Sequence, residues 1–204
     1  MPAPSLPLIL ASASPRRREL FERVGVPIVV LPADVDERAH PGEDPAAYVT
    51  RIARAKARAI AGPPGHWVLG ADTTVTIDGQ ILGKAESPDE ATRMLQSLAG
   101  RTHQVLTAFV LAGKRGGEPW LRAQLVTSEV VMIELDAETL ADYVASNEWR
   151  GKAGAYALQG IGAALVREVR GSVTNVIGLP LAEVLAALRE VGGPGARFAA
   201  GTPA

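Results

Sequence analysis

The chain has no cysteine and only three histidines, which are His40, His66 and His103. Without cysteine there are no disulfide bonds, no thiolate catalysis and no cysteine-ligated zinc, and a reducing compartment is the natural location. The histidines are scattered along the sequence, which argues against a histidine-based metal site or catalytic triad. Acidic side chains must therefore hold any metal ion.

The sequence also lacks a long apolar run and a large net charge. No run approaches the roughly 20 apolar residues of a membrane-spanning helix, and the first five residues lack the charged segment that opens a signal peptide. The formal net charge of −1 gives no basic field for a nucleic-acid polymer or an anionic membrane. We expect a cytoplasmic protein that binds a small molecule and neither a membrane nor a nucleic acid.

The 204 residues suffice for one α/β domain or for two small lobes that share a cleft. Apolar runs and alternating patterns predict strands at residues 8–10, 28–31, 66–77, 80–83, 105–111, 120–135 and 161–169. Capping residues and prolines predict helices that begin at or near Pro15, Pro45, Pro88, Asp136 and Pro180. Residues 151–160 form a glycine-punctuated loop in this interpretation, and residues 171–175 form a polar turn.

The start of the first helix is unusual in its charge. Ser14 is a suitable N-cap whose hydroxyl can accept from a free backbone N–H, and Pro15 fits the first helical position. Arg16, Arg17 and Arg18 follow in the first turn, where the helix already carries a partial positive charge. A bound phosphate would compensate both the arginine charges and the partial positive charge of the helix end. The alternative is that the arginines are solvated or paired with neighbouring glutamates.

Two other stretches carry charge at informative positions. Asp34, Asp36 and Glu37 lie within four positions and suit a hard cation, although these residues taken alone favour an ordinary solvated acidic loop. Lys56 falls on the apolar stripe of the helix predicted from Pro45. It either snorkels to the surface or points into a cleft at an anionic ligand.

The strand predicted at 66–77 carries a carboxylate in its middle. Alternation places Gly70, Asp72, Thr74 and Thr76 on one face. This face is small and polar, so it makes a poor core wall, and we interpret Asp72 as part of a cleft lining. The pair Asp78-Gly79 predicts a two-residue hairpin turn after the strand.

Four separated segments carry a resemblance to one family. They are Ser12-Ala13-Ser14-Pro15-Arg16-Arg17, Gly70-Ala71-Asp72-Thr73, the loop from Gly151 to Gly160, and Gly178-Leu179-Pro180. In this order and spacing they resemble the Maf family of nucleoside triphosphate pyrophosphatases, and within it the dTTP/UTP pyrophosphatase branch. The resemblance implies an α/β fold of the Maf/HAM1 (ITPase-like) type, with a mixed sheet, flanking helices and two lobes around a central cleft.

The resemblance also implies an activity and a domain plan. The expected reaction is hydrolysis of dTTP and UTP, with modified pyrimidine nucleotides as further candidates, to the monophosphate and pyrophosphate. The alternative is a nucleotide-binding regulator of cell division or septum formation in which hydrolysis is incidental. We expect a flexible N-terminus over residues 1–6, a catalytic domain over 7–191, a disordered tail over 192–204, and a homodimer.

Matching positions receive roles from the family. Asp72 resembles the proton acceptor, and Lys56 and Lys84 complete the implied catalytic set. Asp72 and Glu37 are the implied ligands of a divalent cation, Mg²⁺ or Mn²⁺. The implied substrate-binding residues are Ser12, Ser14, Arg16, Arg17, Thr73, Lys152 and Gln159. Of these, Arg16, Thr73 and Gln159 match specificity positions, and the Gln159 amide can pair with the O4 and N3–H edge of uracil or thymine.

Overall fold

The computed structural model describes residues 6–60, 65–115 and 117–196. The expectations of a flexible N-terminus and a disordered tail concern residues 1–5 and 197–204 in the main, and these lie outside the described residues. Within the described part, no helix is long and apolar enough to cross a membrane.

Seven strands of the described chain form one mixed sheet in the order β2-β1-β3-β5-β6-β7, with β4 paired to β3. The strands are β1 (Leu8–Leu10), β2 (Ile28–Val30), β3 (Val68–Ile77), β4 (Gln80–Leu82), β5 (Thr102–Arg115), β6 (Glu118–Met132) and β7 (Val166–Arg170). β1 runs parallel to β2 and β3, and all other pairs are antiparallel. The predicted α/β class and the antiparallel pairing of β5 with β6 are confirmed.

Six α-helices flank this sheet in the described chain. They are α1 (Pro15–Arg23), α2 (Pro45–Ala59), α3 (Pro88–Leu98), α4 (Ala137–Ala145), α5 (Val173–Ile177) and α6 (Leu181–Val191), and a 3₁₀-helix covers Ile161–Leu165. Two predicted caps are confirmed, since Asp44 accepts from the amides of Ala46 and Ala47 at 3.0 Å and Ser87 accepts from the Glu90 amide at 3.2 Å.

The long strands carry two apolar clusters on one face and a third cluster on the other. On one face, Phe21, Leu69 and Phe109 pack with α6, while Leu95 and Trp149 belong to a separate cluster with α3 and α4. The opposite face is covered by α2. Gly70 allows this close approach, because a Cβ there would lie 2.4 Å from the Ala53 carbonyl oxygen. The two clusters on one face are the cores of the two predicted lobes.

The edge of β3 explains where the cleft opens. β1 pairs with residues 68–69 of β3, and β4 pairs with residues 75–77. Between these pairings, the middle of β3 has no partner strand on that side among the described strands. Because β1 ends at this gap, the cleft lies at the carboxyl end of a parallel strand, where α/β folds commonly bind ligands. Side chains from both faces of β3 can reach it.

Two predictions about the C-terminal part are wrong. Residues 161–165 form a 3₁₀-helix rather than the start of a strand, because the Glu148 carboxylate accepts from the amides of Ile161 at 2.9 Å and Gly162 at 2.8 Å. The polar turn predicted at 171–175 contains the start of α5, because the Ser172 hydroxyl caps the helix by accepting from the Asn175 amide at 3.2 Å. Both differences result from side-chain oxygens that satisfy free backbone N–H groups.

Candidate active site

A cavity of about 320 Å³ opens at the gap in the sheet edge, between the two lobes. It is bounded by the start of α1, the loop after β2, α2, the middle of β3, the loop at 151–159 and the end of α5. All of the residues that were predicted to form the site line this cavity: Ser12, Ser14, Arg16, Arg17, Glu37, Lys56, Asp72, Thr73, Lys84, Lys152 and Gln159.

The Lys56 ammonium group lies between two carboxylates, those of Asp72 and Glu37. Its Nζ lies 2.8 Å from Asp72 Oδ1 and 2.6 Å from Glu37 Oε1, and the Lys56 side chain is only 7% exposed. Lys84 adds a second cation at 3.2 Å from Glu37 Oε2. The alternative in which Lys56 snorkels to the surface is therefore wrong, since the lysine points into the cleft and meets two carboxylates there.

The loop that carries Glu37 is fastened to α2. The Tyr48 hydroxyl donates to the Glu37 carbonyl oxygen at 2.9 Å, and Arg51 donates to the Arg38 carbonyl oxygen at 3.0 Å. Partial burial alone would raise the pKa of Glu37, but the ammonium groups of Lys56 and Lys84 outweigh it and leave that pKa below its usual value. Burial, with the nearby carboxylate charges, raises the pKa of Tyr48 to about 12.

The acidic run that precedes Glu37 divides between two environments. Asp36 turns outward and pairs with Arg38 at 2.6 Å, and hydrogen bonds from Arg38 lower the pKa of Asp36. Asp34 is exposed. Among the described residues, no group of three or more histidine, cysteine, aspartate or glutamate side chains could hold a metal ion. Only Glu37 of this run faces Asp72 across Lys56, so the protein contributes at most a two-carboxylate site.

The three arginines of α1 take three different positions. Arg17 is buried and donates to Gly178 O at 2.8 Å, Ser12 Oγ at 2.9 Å and Thr73 Oγ1 at 3.0 Å. Arg16 is partly buried and donates from Nε to Ile177 O at 3.1 Å. Arg18 is exposed and pairs with a glutamate one turn later on the same helix. Burial lowers the pKa of Arg16 and Arg17. Arg17 thus joins three walls of the cleft.

Ser14 occupies the N-cap position of α1, but its hydroxyl makes no capping hydrogen bond, so the predicted cap bond is wrong. The Ser14 amide instead donates to Ser12 Oγ at 3.3 Å. Ser12 Oγ also accepts from Arg17, so the residues before α1 are held at the cleft floor and not against the first amides of the helix. The first amides of α1 therefore have no side-chain cap.

Thr73 and Gln159, the two predicted specificity residues besides Arg16, differ in how firmly they are held. Thr73 Oγ1 lies 2.9 Å from Thr107 Oγ1 and 3.2 Å from Gly178 O, in addition to its contact with Arg17. Gln159 is exposed at the rim, where its Nε2 donates to Glu19 Oε2 at 3.4 Å. Thr73 therefore belongs to a fixed floor, whereas Gln159 is a side chain of the cleft entrance.

The glycine-punctuated loop docks onto the end of β4. Lys84 and Ala153 form an isolated antiparallel bridge, and the Gly154 amide donates to Gly83 O at 3.1 Å. Gly154 has φ +68° and a Cβ there would lie 2.9 Å from Val75, so glycine is required by both conformation and space. Lys152 lines the cleft wall, and its Nζ donates to the Arg150 carbonyl oxygen at 3.1 Å. Burial together with the charge of Arg16 lowers the pKa of Lys152.

The sequence interpretation missed the polar side chains behind the cleft floor. Thr107 and Asn175 are fully buried, and Tyr48 supports the Glu37 loop. A hydroxyl within the apolar run at 105–111 was a signal for Thr107. Asn175 could not be recognised, because the sequence pattern predicted a polar turn at residues 171–175.

Known proteins are similar to this chain in fold and in sequence. A solved HAM1 protein from Coxiella burnetii superposes with a TM-score of 0.50 at 17% identity, covering 91% of this chain and 99% of that one, which shows the fold. Proteins named dTTP/UTP pyrophosphatase are 49% identical over 187 residues in Anaeromyxobacter dehalogenans (92% of this chain, 95% of that one) and 48% identical over 194 residues in Cereibacter sphaeroides (95% and 99%). The family model described as Maf-like protein matches residues 7–191. The chain belongs to the Maf family.

Proposed function

We propose that this protein is a nucleoside triphosphate pyrophosphatase that hydrolyses dTTP and UTP to the monophosphate and pyrophosphate. The observation that carries the proposal is the arrangement of Asp72 and Glu37 around Lys56, in a cleft whose other walls are cationic. The names of the similar bacterial proteins agree with this activity. They give no support to the alternative of a nucleotide-binding regulator of cell division.

The cationic walls suit a triphosphate. Arg16, Lys84 and Lys152 line the cavity from three separate segments, and each carries a positive charge that can contact phosphate oxygens. The first amides of α1, which have no side-chain cap, add hydrogen-bond donors at the positive end of a helix. In this proposal the cations offset the charge that develops on the leaving pyrophosphate.

Asp72 is the proposed proton acceptor. Its side chain is 9% exposed and lies at the open edge of β3, where a water molecule can reach it from the cleft. One oxygen, Oδ1, is held by Lys56 at 2.8 Å, and this contact fixes the orientation of the carboxylate. The carboxylate accepts a proton from the attacking water as the new oxygen–phosphorus bond forms and pyrophosphate leaves.

Asp72 and Glu37 also fit a divalent cation, Mg²⁺ or Mn²⁺. Mg²⁺ is commonly held by one or two carboxylates together with substrate phosphates and water, which matches a site with two carboxylates. The chemistry that such a cation supplies is polarisation of the phosphate oxygens and neutralisation of their charge. Lys56 offsets part of the negative charge of the two carboxylates themselves, since its ammonium group touches both of them.

Recognition of the base is assigned to the rim of the cleft. The Gln159 amide offers both N–H donors and a carbonyl acceptor, which match the O4 and N3–H edge shared by uracil and thymine. Modified pyrimidine nucleotides that keep this edge are further candidate substrates. We also propose residues 7–191 as the catalytic domain, a cytoplasmic location and a homodimer.

A nucleotide panel tests the proposal. The protein is incubated with each nucleoside triphosphate and Mg²⁺ or Mn²⁺, and phosphate and pyrophosphate are measured separately. We expect pyrophosphate release with UTP and dTTP ahead of other nucleotides. Release of phosphate alone, or no turnover of either pyrimidine nucleotide, would overturn the proposed function.

A further inference from the structure

Asn175 is a fully buried polar residue of α5, and the next two residues, Val176 and Ile177, pack against one apolar cluster each. Its Nδ2 donates to Val105 O at 2.9 Å and to Ser128 Oγ at 3.0 Å, so one side chain ties the short helix α5 to both long strands, β5 and β6. Among the described residues its Oδ1 has no hydrogen-bond partner. A buried amide with an unpaired oxygen costs stability, so packing alone does not explain it.

The carbonyl end of α5 holds the arginines of the cleft. Ile177 O accepts from Arg16 Nε at 3.1 Å, and Gly178 O accepts from Arg17 Nε at 2.8 Å. Arg17 has two further partners, on β3 and before α1, that fix it independently of α5. For Arg16, Ile177 O is the side-chain partner in the described structure, and its position depends on where α5 is anchored.

A second contact ties the same helix to the cleft floor. Thr107 Oγ1 donates to Asn175 O at 3.3 Å and lies 2.9 Å from Thr73 Oγ1. The Gly178 amide donates to that Asn175 carbonyl oxygen as well, at 2.9 Å. Asn175 therefore connects the sheet on one side with the turn that presents Ile177 O and Gly178 O on the other.

We propose that Asn175 is a positioning residue that aims the Arg16 guanidinium into the cleft by anchoring α5 to β5 and β6. The proposal rests on the proposed function, in which Arg16 contacts the triphosphate. Asn175 does not touch the substrate. It acts through Ile177 O, and the loss of its amide lets the end of α5 shift while the two apolar clusters remain packed.

A double-mutant cycle separates this role from a general loss of stability. Asn175→Ala is combined with Arg16→Lys, which keeps the positive charge but has no Nε–H for Ile177 O. We expect Asn175→Ala to lower kcat/KM for UTP by about 10- to 100-fold in the wild-type background, since small misplacements of binding groups have effects of this size. In the Arg16→Lys background the further loss is less than about twofold, because the contact is already absent.

Arg18→Lys is the matched control background, since Arg18 lies on the same helix, is exposed and does not contact α5. There Asn175→Ala has its full effect on kcat/KM. The melting temperature, in contrast, falls by the same amount in all three backgrounds. Equal losses of kcat/KM in the wild-type and Arg16→Lys backgrounds would overturn the proposal, as would an unchanged kcat/KM in Asn175→Ala alone.

Two additions keep the test decisive. If Asn175→Ala does not fold, Ser128→Ala removes one of the two Nδ2 acceptors and is run through the same cycle, with a smaller loss that again disappears in the Arg16→Lys background. Affinity for inorganic pyrophosphate provides a readout without turnover. If Asn175→Ala lowers this affinity equally in the wild-type and Arg16→Lys backgrounds, the proposed role of Asn175 is also overturned. If the wild-type protein hydrolyses a different nucleotide, the proposed function is wrong. The role of Asn175 is then tested separately, by measuring the same cycle with that nucleotide.

Discussion

Lys56 Nζ lies 2.8 Å from Asp72 Oδ1, although Lys56 stands on the apolar face of α2 and Asp72 in the middle of a buried strand. The pair forms because Gly70, two residues before Asp72, lets α2 approach β3 closely. Glu37 then joins from the loop after β2 at 2.6 Å. The helix α2 and the strand β3, which follow one another in the chain, thus supply Lys56 and Asp72 to one charged centre.

Asp72→Asn should abolish turnover while nucleotide binding stays largely intact. The amide keeps the size of the side chain but cannot accept a proton, and a general base commonly contributes at least about 100-fold to the rate. Steady-state kinetics with UTP measure the loss, and calorimetry measures binding. Asp36→Asn is the control, since Asp36 faces outward. Near-normal turnover of Asp72→Asn would remove Asp72 from the mechanism.

Lys56→Met should destabilise the protein by about 3–5 kcal/mol, because it leaves the buried Asp72 carboxylate without its cation. Chemical denaturation measures the free energy of unfolding. The matched variant Lys84→Met removes an exposed cation, whose side chain is 62% exposed, and should change stability by about 1 kcal/mol or less. Equal effects of the two substitutions would contradict a special role for the buried pair.

The stability of the protein should fall with decreasing pH because of His103. Burial lowers the pKa of His103 to about 4 in the folded state, against about 6.5 for an unfolded chain. Between these values the unfolded state binds a proton that the folded state does not, so unfolding becomes easier as the pH drops from about 6.5 to about 4. The loss amounts to roughly 3 kcal/mol.

His103→Gln provides the comparison for this pH effect, since it keeps a polar group near the Tyr156 hydroxyl, 2.8 Å from His103 Nε2. Denaturation at several pH values should give a shallower slope in the variant over this range. An identical slope in both proteins would assign the pH dependence to other groups.

Gln159→Glu should lower kcat/KM for UTP and dTTP more than for other nucleotides, by about 10- to 100-fold. The amide donor for the base O4 is lost, and O4 instead meets a second carboxylate charge beside Glu19. A substrate panel measures the ranking. Glu22→Gln, an exposed change on α1, the helix that carries Glu19, should leave the substrate ranking unchanged. If Gln159→Glu also leaves it unchanged, Gln159 does not read the base.

Gly70→Ala should destabilise the protein by about 1–3 kcal/mol and reduce activity, since the new Cβ would lie 2.4 Å from the Ala53 carbonyl oxygen and must displace the helix that carries Lys56. Thermal unfolding and UTP turnover measure the two effects. Gly83→Ala is the control, because a Cβ at Gly83 meets no atom within 4 Å. A stable, fully active Gly70→Ala variant would show that α2 does not need this close contact.

Much of the fold could be predicted because its signals are local. The pairs Asp44-Pro45 and Ser87-Pro88 set helix starts, and Asp78-Gly79 sets the hairpin between β3 and β4. Every predicted site residue lines the cavity, eight of them from the four family segments and three, Glu37, Lys56 and Lys84, from outside those segments. Residues 161–165 and α5 could not be predicted, since the caps from Glu148 and Ser172 outweigh the local strand and turn patterns.

By itself, the sequence determined the class of fold, the helix starts and the types of side chain available for phosphate chemistry, because capping, alternation and residue chemistry act over a few neighbouring positions. Only the tertiary structure decided where each charged side chain points. It turned Lys56 inward, buried Arg17 in the floor and left Arg16 lining the cavity. It also placed the Asn175 side chain of α5 against β5 and β6. These outcomes depend on contacts between distant segments, whose geometry is fixed when the helices pack on the sheet.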